Sequence, residues 1–266
     1  MNSNGMMGRV GLGLGMLALL GQKAPTGINE VMAQSTPSAQ AAAPAGAGAV
    51  TRYLDRGEGR IAYDLTGAGP LVICVPSMGD IRAEYRFLVP QLVDAGYTAV
   101  TMDVRGHGES SAAWSDYSVA AIGSDILALV RSLDRGPAIL AGESMAGGAA
   151  IWAAAEAPAA VAGLVLLDPI VRDAPAGTSR LQALMYTVLF ADPWGPAVWA
   201  WYYRTLYVSQ KPAGFAAYTS ALRANLGQPG RMHALRSMIL ASKAASAARV
   251  SRVQAPALVV MGTRDP

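Results

Sequence analysis

A serine within a run of small residues is the position with the clearest chemistry. Ser144 is the third residue of the segment GESMAG, residues 142–147, which joins an apolar stretch to an alanine-rich stretch. A sharp turn from strand to helix would lift the serine hydroxyl out of a sheet, and small neighbours would let the helix approach the strand. The Met145 N–H at the helix start would face an oxygen that becomes negative during acyl transfer. The segment therefore predicts a nucleophilic serine.

Three further segments accompany apolar runs. Residues 75–80 are VPSMGD, residues 103–110 are DVRGHGES, and residues 258–265 are LVVMGTRD. With the serine segment, they resemble the α/β-hydrolase fold family, specifically its serine-nucleophile esterases and lipases. The GESMA stretch departs from the usual G-x-S-x-G at Ala146, where one extra methyl is tolerable.

The resemblance implies hydrolysis of an ester or related acyl bond through an acyl-enzyme intermediate. Ser144 would attack the carbonyl, and the Met145 and Met78 N–H groups would form the oxyanion hole. The VPSMGD segment lacks the His-Gly pair that is usual in the family, so Ser77 is the alternative to Met78. A serine nucleophile argues against epoxide or haloalkane hydrolysis, since those relatives use an aspartate.

The resemblance also implies an acid that orients a catalytic histidine. Asp265 has the matching place, in a glycine-led loop after an apolar strand, and Asp168 is the alternative. Family triads run in the order serine, acid, histidine. His107 and His233 both precede Asp265, and we expect the first to be loop scaffold and the second a surface or packing residue. We therefore expect a truncated sequence that ends before its histidine, and a 266-residue chain with very little activity.

These segments need a framework of alternating strands and helices. Short β-branched runs alternate with helical periodicity, which predicts the α/β class with a mostly parallel sheet, helices on both faces and an inserted helical cap. The final strand and helix are expected to be missing. The predicted strands cover 59–66, 71–75, 98–103, 138–142, 161–167 and 257–261, and the predicted helices of the core cover 82–95, 119–133 and 147–157.

The same patterns predict the domain organisation. Residues 1–50 form a signal-like or disordered extension and linker, 51–168 the hydrolase core, 169–254 the helical cap, and 255–266 the last core strand and acid loop. Six aromatic residues of the cap are expected to pack it onto the sheet, and some to line a pocket. They are Trp194, Trp199, Trp201, Tyr202, Tyr203 and Tyr207.

Composition excludes several classes of protein. Hydrophobic residues make up 52% of the chain and charged residues 15%, which excludes overall disorder. The net charge of +3 comes without a basic cluster, so no nucleic-acid partner is expected. No metal-ligand cluster or phosphate loop stands out, and we infer no cofactor.

The apolar stretch 10–20 is too short for a stable membrane anchor, although residues 31–33 resemble a signal-peptidase site. The sequence leaves the compartment open, with a cytoplasmic location favoured over export.

The leading hypothesis is therefore a serine hydrolase whose substrate is a small molecule with an apolar acyl part. Acyl transfer or perhydrolysis on the same site is the alternative within enzymes. A ligand-binding protein that keeps the fold without catalysis is the alternative from another class.

Overall fold

A computed structural model describes residues 50–173, 179–207 and 211–262. The predicted signal-like extension, apart from its last residue, and the predicted acid Asp265 lie outside these residues.

The described residues contain seven strands in one sheet. They are β1 (Arg52–Asp55), β2 (Arg60–Thr66), β3 (Leu71–Val75), β4 (Thr98–Met102), β5 (Ala138–Glu143), β6 (Val161–Leu167) and β7 (Ala257–Val260). Their order across the sheet is β1-β2-β4-β3-β5-β6-β7. β1 pairs with β2, and β2 with β4, in antiparallel fashion, and every other neighbouring pair is parallel. The predicted α/β class with a mostly parallel sheet is confirmed.

Helices cover both faces of this sheet. The core helices are α1 (Leu88–Asp94), which follows a 3₁₀ helix over Arg82–Phe87, α2 (Val119–Leu133) and α3 (Met145–Glu156). Alternate residues of β3 point to opposite faces. Val72 and Cys74 pack with residues of α1, whereas Ile73 packs with residues of α2 and α3. The fully buried strand β3 therefore lies between two helical layers.

The predicted strands agree with the structure to within one residue at each end, and three other differences are larger. β1 was not predicted, because its sequence RYLD is short, polar and mostly exposed at a sheet edge. The stretch predicted as one helix over 82–95 begins as a 3₁₀ helix. α3 begins at Met145, two residues earlier than predicted, since the turn that carries Ser144 continues directly into the helix.

A helical segment, which we call the insertion, lies between β6 and β7. Its helices are α4 (Arg180–Leu189), α5 (Gly195–Leu206), α6 (Phe215–Leu226), α7 (Arg231–Leu240) and α8 (Ala244–Ala247), followed by a 3₁₀ helix over Val250–Arg252. Tyr186, Phe190 and Trp199 belong to an apolar cluster of the insertion, and Met78 of the core packs against it. None of the helices in the described residues has the length and apolarity needed to cross a membrane.

The aromatic residues of the insertion divide into two groups. Trp199 and Tyr203 are buried, whereas Trp194 is 50% exposed and Trp201 61% exposed. The expectation that these aromatics pack the insertion onto the core is therefore wrong for Trp194 and Trp201.

Candidate active site

Ser144 lies in the turn between β5 and α3 with an unusual backbone conformation. Its φ is 52° and its ψ is −117°. Such a conformation costs a residue with a side chain about 1–3 kcal/mol and persists only where its surroundings enforce it. Here the end of β6 does so, because the Ser144 N–H donates to the Leu167 carbonyl at 2.9 Å and the Ile170 N–H donates to the Ser144 carbonyl at 2.9 Å. The turn is thus held by main-chain hydrogen bonds.

Small residues allow this turn to close. A Cβ atom at Gly142 would lie 2.6 Å from the Ala146 carbonyl oxygen, so the first glycine of the segment has no room for a side chain. Ala146 itself is 1% exposed and belongs to the main apolar core. The methyl that distinguishes this chain from the G-x-S-x-G pattern is therefore packed among core residues.

Ser144 opens into a cavity of about 280 Å³ between the sheet and the insertion. The core contributes Ser77, Met78 and Asp168 to its lining, and the insertion contributes Trp199 and Tyr202. The structure thus brings the predicted nucleophile, both candidate donors of the VPSMGD segment and the alternative acid to one cavity.

Residues 76–81, which we call the oxyanion loop, form a tight turn after β3. The Asp80 N–H donates to the Ser77 carbonyl at 3.3 Å, and Gly79 has a φ of 74°, as the third residue of a type II turn requires. The Gly79 N–H donates to His107 Nε2 at 3.0 Å. Because the amides of Gly79 and Asp80 already have acceptors within the protein, Met78 and its alternative Ser77 remain the donor candidates on this turn.

His107 supports the oxyanion loop from the core side. It is fully buried, and burial lowers its pKa to about 4. Since Nε2 accepts the Gly79 N–H, the ring proton is on Nδ1, which lies 3.2 Å from the Arg105 carbonyl. A neutral histidine with both nitrogens engaged is loop scaffold, as the sequence predicts. His233 is exposed and contacts the edge of the Tyr117 ring, and neither histidine lines the cavity described above.

Trp199 supports the same loop from the insertion. Its indole N–H donates to the Gly79 carbonyl at 3.0 Å, and a Cβ atom at Gly79 would lie 2.3 Å from the indole ring. Gly79 is therefore held between a core histidine and a tryptophan of the insertion. The sequence analysis predicts His107 as loop scaffold, but it does not predict that His107 and Trp199 both bond Gly79. The glycine in VPSMGD is the one sequence feature connected with these bonds.

Asp80 is a further cavity residue that sequence reasoning missed. It is 3% exposed, and one carboxylate oxygen accepts the Ile81 N–H at 2.7 Å and the Tyr218 hydroxyl. The Tyr203 side chain also lies near this carboxylate. Removal from water raises the pKa of Asp80 to about 6, although these hydrogen bonds and the Arg86 charge oppose the shift.

The alternative acid, Asp168, lies at the end of β6. Its φ is 42°, its N–H donates to the Val260 carbonyl at 2.8 Å, and its carboxylate accepts the Gly262 N–H at 2.7 Å. Asp168 therefore fixes the start of the loop that leads to Asp265. Whether either acid orients a histidine stays a prediction. Within the described ranges, no three or more His, Cys, Asp or Glu side chains form a group suited to a metal ion.

Comparison with known proteins gives a consistent result. The family model described as the alpha/beta hydrolase fold matches residues 70–266. A 2-(acetamidomethylene)succinate hydrolase from Mesorhizobium japonicum is 32% identical over 119 residues, which are 45% of this chain and 42% of that protein. The dihydrolipoyllysine-residue acetyltransferase component of an acetoin cleaving system from Cupriavidus necator is 30% identical over 160 residues, which are 58% of this chain and 42% of that protein. The chain thus spans about two fifths of the length of these curated relatives.

Solved structures show the same fold. A hydrolase from Pseudomonas aeruginosa superposes with a TM-score of 0.65 and 25% identity, over 82% of this chain and 81% of that chain. An epoxide hydrolase from Vigna radiata gives a TM-score of 0.64 at 18% identity, over 80% of this chain and 79% of that chain. Since the family model covers most of the sequence, this chain belongs to the α/β-hydrolase fold family.

Proposed function

We propose that this protein is a serine hydrolase that cleaves an ester or related acyl bond through an acyl-enzyme intermediate. The observation that carries the proposal is the unusual backbone conformation of Ser144 at the N-terminus of α3. Ser144 lines the same cavity as Met78. A serine presented in this way is the usual nucleophile of the fold, whereas relatives that open epoxides need a carboxylate at this position.

The proposed first step is attack of Ser144 Oγ on the substrate carbonyl carbon. The C–O bond of a tetrahedral intermediate forms, and negative charge moves to the former carbonyl oxygen. The N–H of Met145, at the first position of α3, has no acceptor within its own helix and is available to that oxygen. The Met78 N–H would be the second donor. Collapse of the intermediate expels the alcohol and leaves an acyl group on Ser144, which water then removes.

The Ser144 proton needs a base, and neither His107 nor His233 is placed to accept it. In the proposed mechanism a histidine oriented by Asp265, or alternatively by Asp168, takes this role, as in other triads of the fold.

A second candidate function is acyl transfer to an acceptor other than water. The likeness to an acetyltransferase component favours it. Both functions share the acyl-enzyme, so partition of the acyl group between water, alcohols, thiols and hydrogen peroxide would distinguish hydrolysis from acyl transfer and perhydrolysis.

The proposal is tested by ester hydrolysis with the complete gene product. Ser144→Ala is expected to lower kcat by about 10⁴-fold or more, because the nucleophile is lost. Ser132→Ala removes a hydroxyl that bonds only the Leu129 carbonyl in α2 and is the matched control, with unchanged activity. Full activity of Ser144→Ala, or the absence of turnover in the wild type, would contradict the proposal. The second result would favour a ligand-binding protein.

A further inference from the structure

We propose that Asp80 determines the substrate class, by accepting a hydrogen bond from a donor group on the substrate, most strongly a protonated amine. The site would thus favour acyl substrates with a cationic or N–H-bearing group over anionic ones. This inference rests on the proposed function, since it concerns the cavity in which Ser144 would act.

The position of Asp80 suits a recognition role. It lines the cavity that Ser144 also lines, and it lies two residues after Met78 on the oxyanion loop. Because the residue is 3% exposed, bulk water scarcely screens its carboxylate. A substrate that reaches Ser144 therefore passes a poorly solvated acid.

The carboxylate retains capacity for another donor. An ionised carboxylate offers about four acceptor sites. The Ile81 N–H and the Tyr218 hydroxyl fill two of them. A donor on a substrate in the cavity would bind at one of the others.

No cation of the described structure neutralises Asp80 by direct pairing. Arg86 is the cation that acts on it, but its guanidinium lies 4.2 Å from the centre of the Tyr218 ring and 4.4 Å from that of Phe87. The ion pairs found among the described residues do not include Arg86 with Asp80. With a pKa of about 6, Asp80 is mainly ionised at neutral pH.

The other charged side chains of the cavity also favour a cationic ligand. Among the described residues of its lining, three carboxyl side chains, Asp80, Glu143 and Asp168, face a single basic one, Arg172. Charges of one sign that line a cleft raise the local concentration of ligands of the opposite sign. The apolar part of the substrate would contact Trp199, Tyr202 and Leu206, which also line the cavity.

A purely structural role for Asp80 would need no charge. A neutral amide also accepts hydrogen bonds from tyrosine hydroxyls, and burial of an ionised carboxylate costs free energy that the amide avoids. The charge is thus the property that the test must isolate.

The test compares three substrates of equal chain length with the complete gene product. These are the 4-nitrophenyl esters of 6-aminohexanoic, hexanoic and adipic acid. We expect kcat/KM to fall in that order, with about a 10- to 100-fold advantage of the amino ester over the neutral one, as for a hydrogen bond to a charged group. Asp80→Asn should abolish this advantage and improve the adipic ester.

Tyr218→Phe, assayed at mildly alkaline pH, is the matched control, because it removes a hydrogen bond to Asp80 from the insertion and keeps the carboxyl group. Loss of this bond raises the pKa of Asp80, and the alkaline pH keeps the carboxylate ionised. This variant should keep the substrate order. Two results would overturn the proposal. One is a wild-type protein with equal kcat/KM for the three esters, and the other is a Tyr218→Phe variant that loses selectivity as fully as Asp80→Asn.

A binding measurement covers the case in which Asp80→Asn does not fold and separates the two proposals. Calorimetry with the wild-type gene product should show tighter binding of hexylamine than of hexanoate, whether or not any ester is turned over. Equal or reversed affinities would overturn the role of Asp80. Amine selectivity without ester turnover would overturn the hydrolase proposal alone.

Discussion

The two sides of the cavity are held by different means. The serine turn, residues 142–148, is shaped by small residues and by main-chain bonds to the end of β6. The oxyanion loop is held by side chains from distant parts of the sequence: His107 and Trp199 bond Gly79 over separations of 28 and 120 residues, and Tyr218 bonds Asp80 over 138. One side is therefore held by close packing and main-chain bonds, whereas the other depends on individual side-chain hydrogen bonds. Substitutions should affect the two sides in different ways.

The largest expected effect is on the proposed acid of the triad. Asp265→Asn in the complete gene product should lower kcat by about 10⁴-fold, because the histidine loses the partner that fixes its tautomer and orientation. Asp168→Asn, its matched counterpart at the end of the neighbouring strand, should cost less than about tenfold. Steady-state kinetics of both variants checks this ranking, and a reversed ranking would assign the acid to Asp168.

A steric change at the serine turn should come next. Gly142→Ala places a methyl 2.6 Å from the Ala146 carbonyl oxygen, and we expect the free energy of unfolding to fall by about 3 kcal/mol. Gly163→Ala is the control in β6, since its methyl would meet other atoms only at 3.5 Å or more. Urea denaturation measures both variants. Equal stability of the two would contradict the steric account of the turn.

Loss of the core tether should affect the rate more than substrate binding. His107→Phe leaves the buried Gly79 N–H without its acceptor, which costs about 2 kcal/mol, and we expect kcat to fall about 30-fold with KM little changed. His107→Gln restores an acceptor and should recover part of kcat. A rise in KM at constant kcat, or no difference between Phe and Gln, would argue against a positioning role.

The smallest expected effect is loss of the tether from the insertion. Trp199→Phe keeps an aromatic ring but removes the N–H that bonds the Gly79 carbonyl, so kcat should fall about fivefold. Trp194→Phe removes an equivalent bond to the Val188 carbonyl at the exposed surface and should leave kcat unchanged. Equal kcat values for the two variants would show that the insertion does not position the oxyanion loop.

The difference between the two sides of the cavity also explains which features could be predicted from the sequence. The strand and helix periods and the small residues around Ser144 are short-range patterns, so β3, β6 and α2 appear at their predicted bounds. The edge strand β1 lacks such a pattern because it is exposed and polar.

The tethers of the oxyanion loop follow from tertiary packing alone. Nothing near Trp199 or Tyr218 in sequence distinguishes them from other aromatics of the insertion, two of which, Trp194 and Trp201, are exposed. Asp80 lay inside a recognised segment, yet its burial against two tyrosines required the fold. Sequence reasoning therefore predicted six of the seven strands and the turn that carries Ser144, but not the contacts that hold the opposite wall.

The central claim is that Ser144 is the nucleophile of this cavity. The most direct measurement is mass spectrometry of the complete gene product after reaction with a fluorophosphonate, with peptide mapping of the adduct. We predict one adduct per chain, on Ser144, and none in Ser144→Ala. Turnover of an acyl substrate without an adduct, or with the adduct on another residue, would contradict the account.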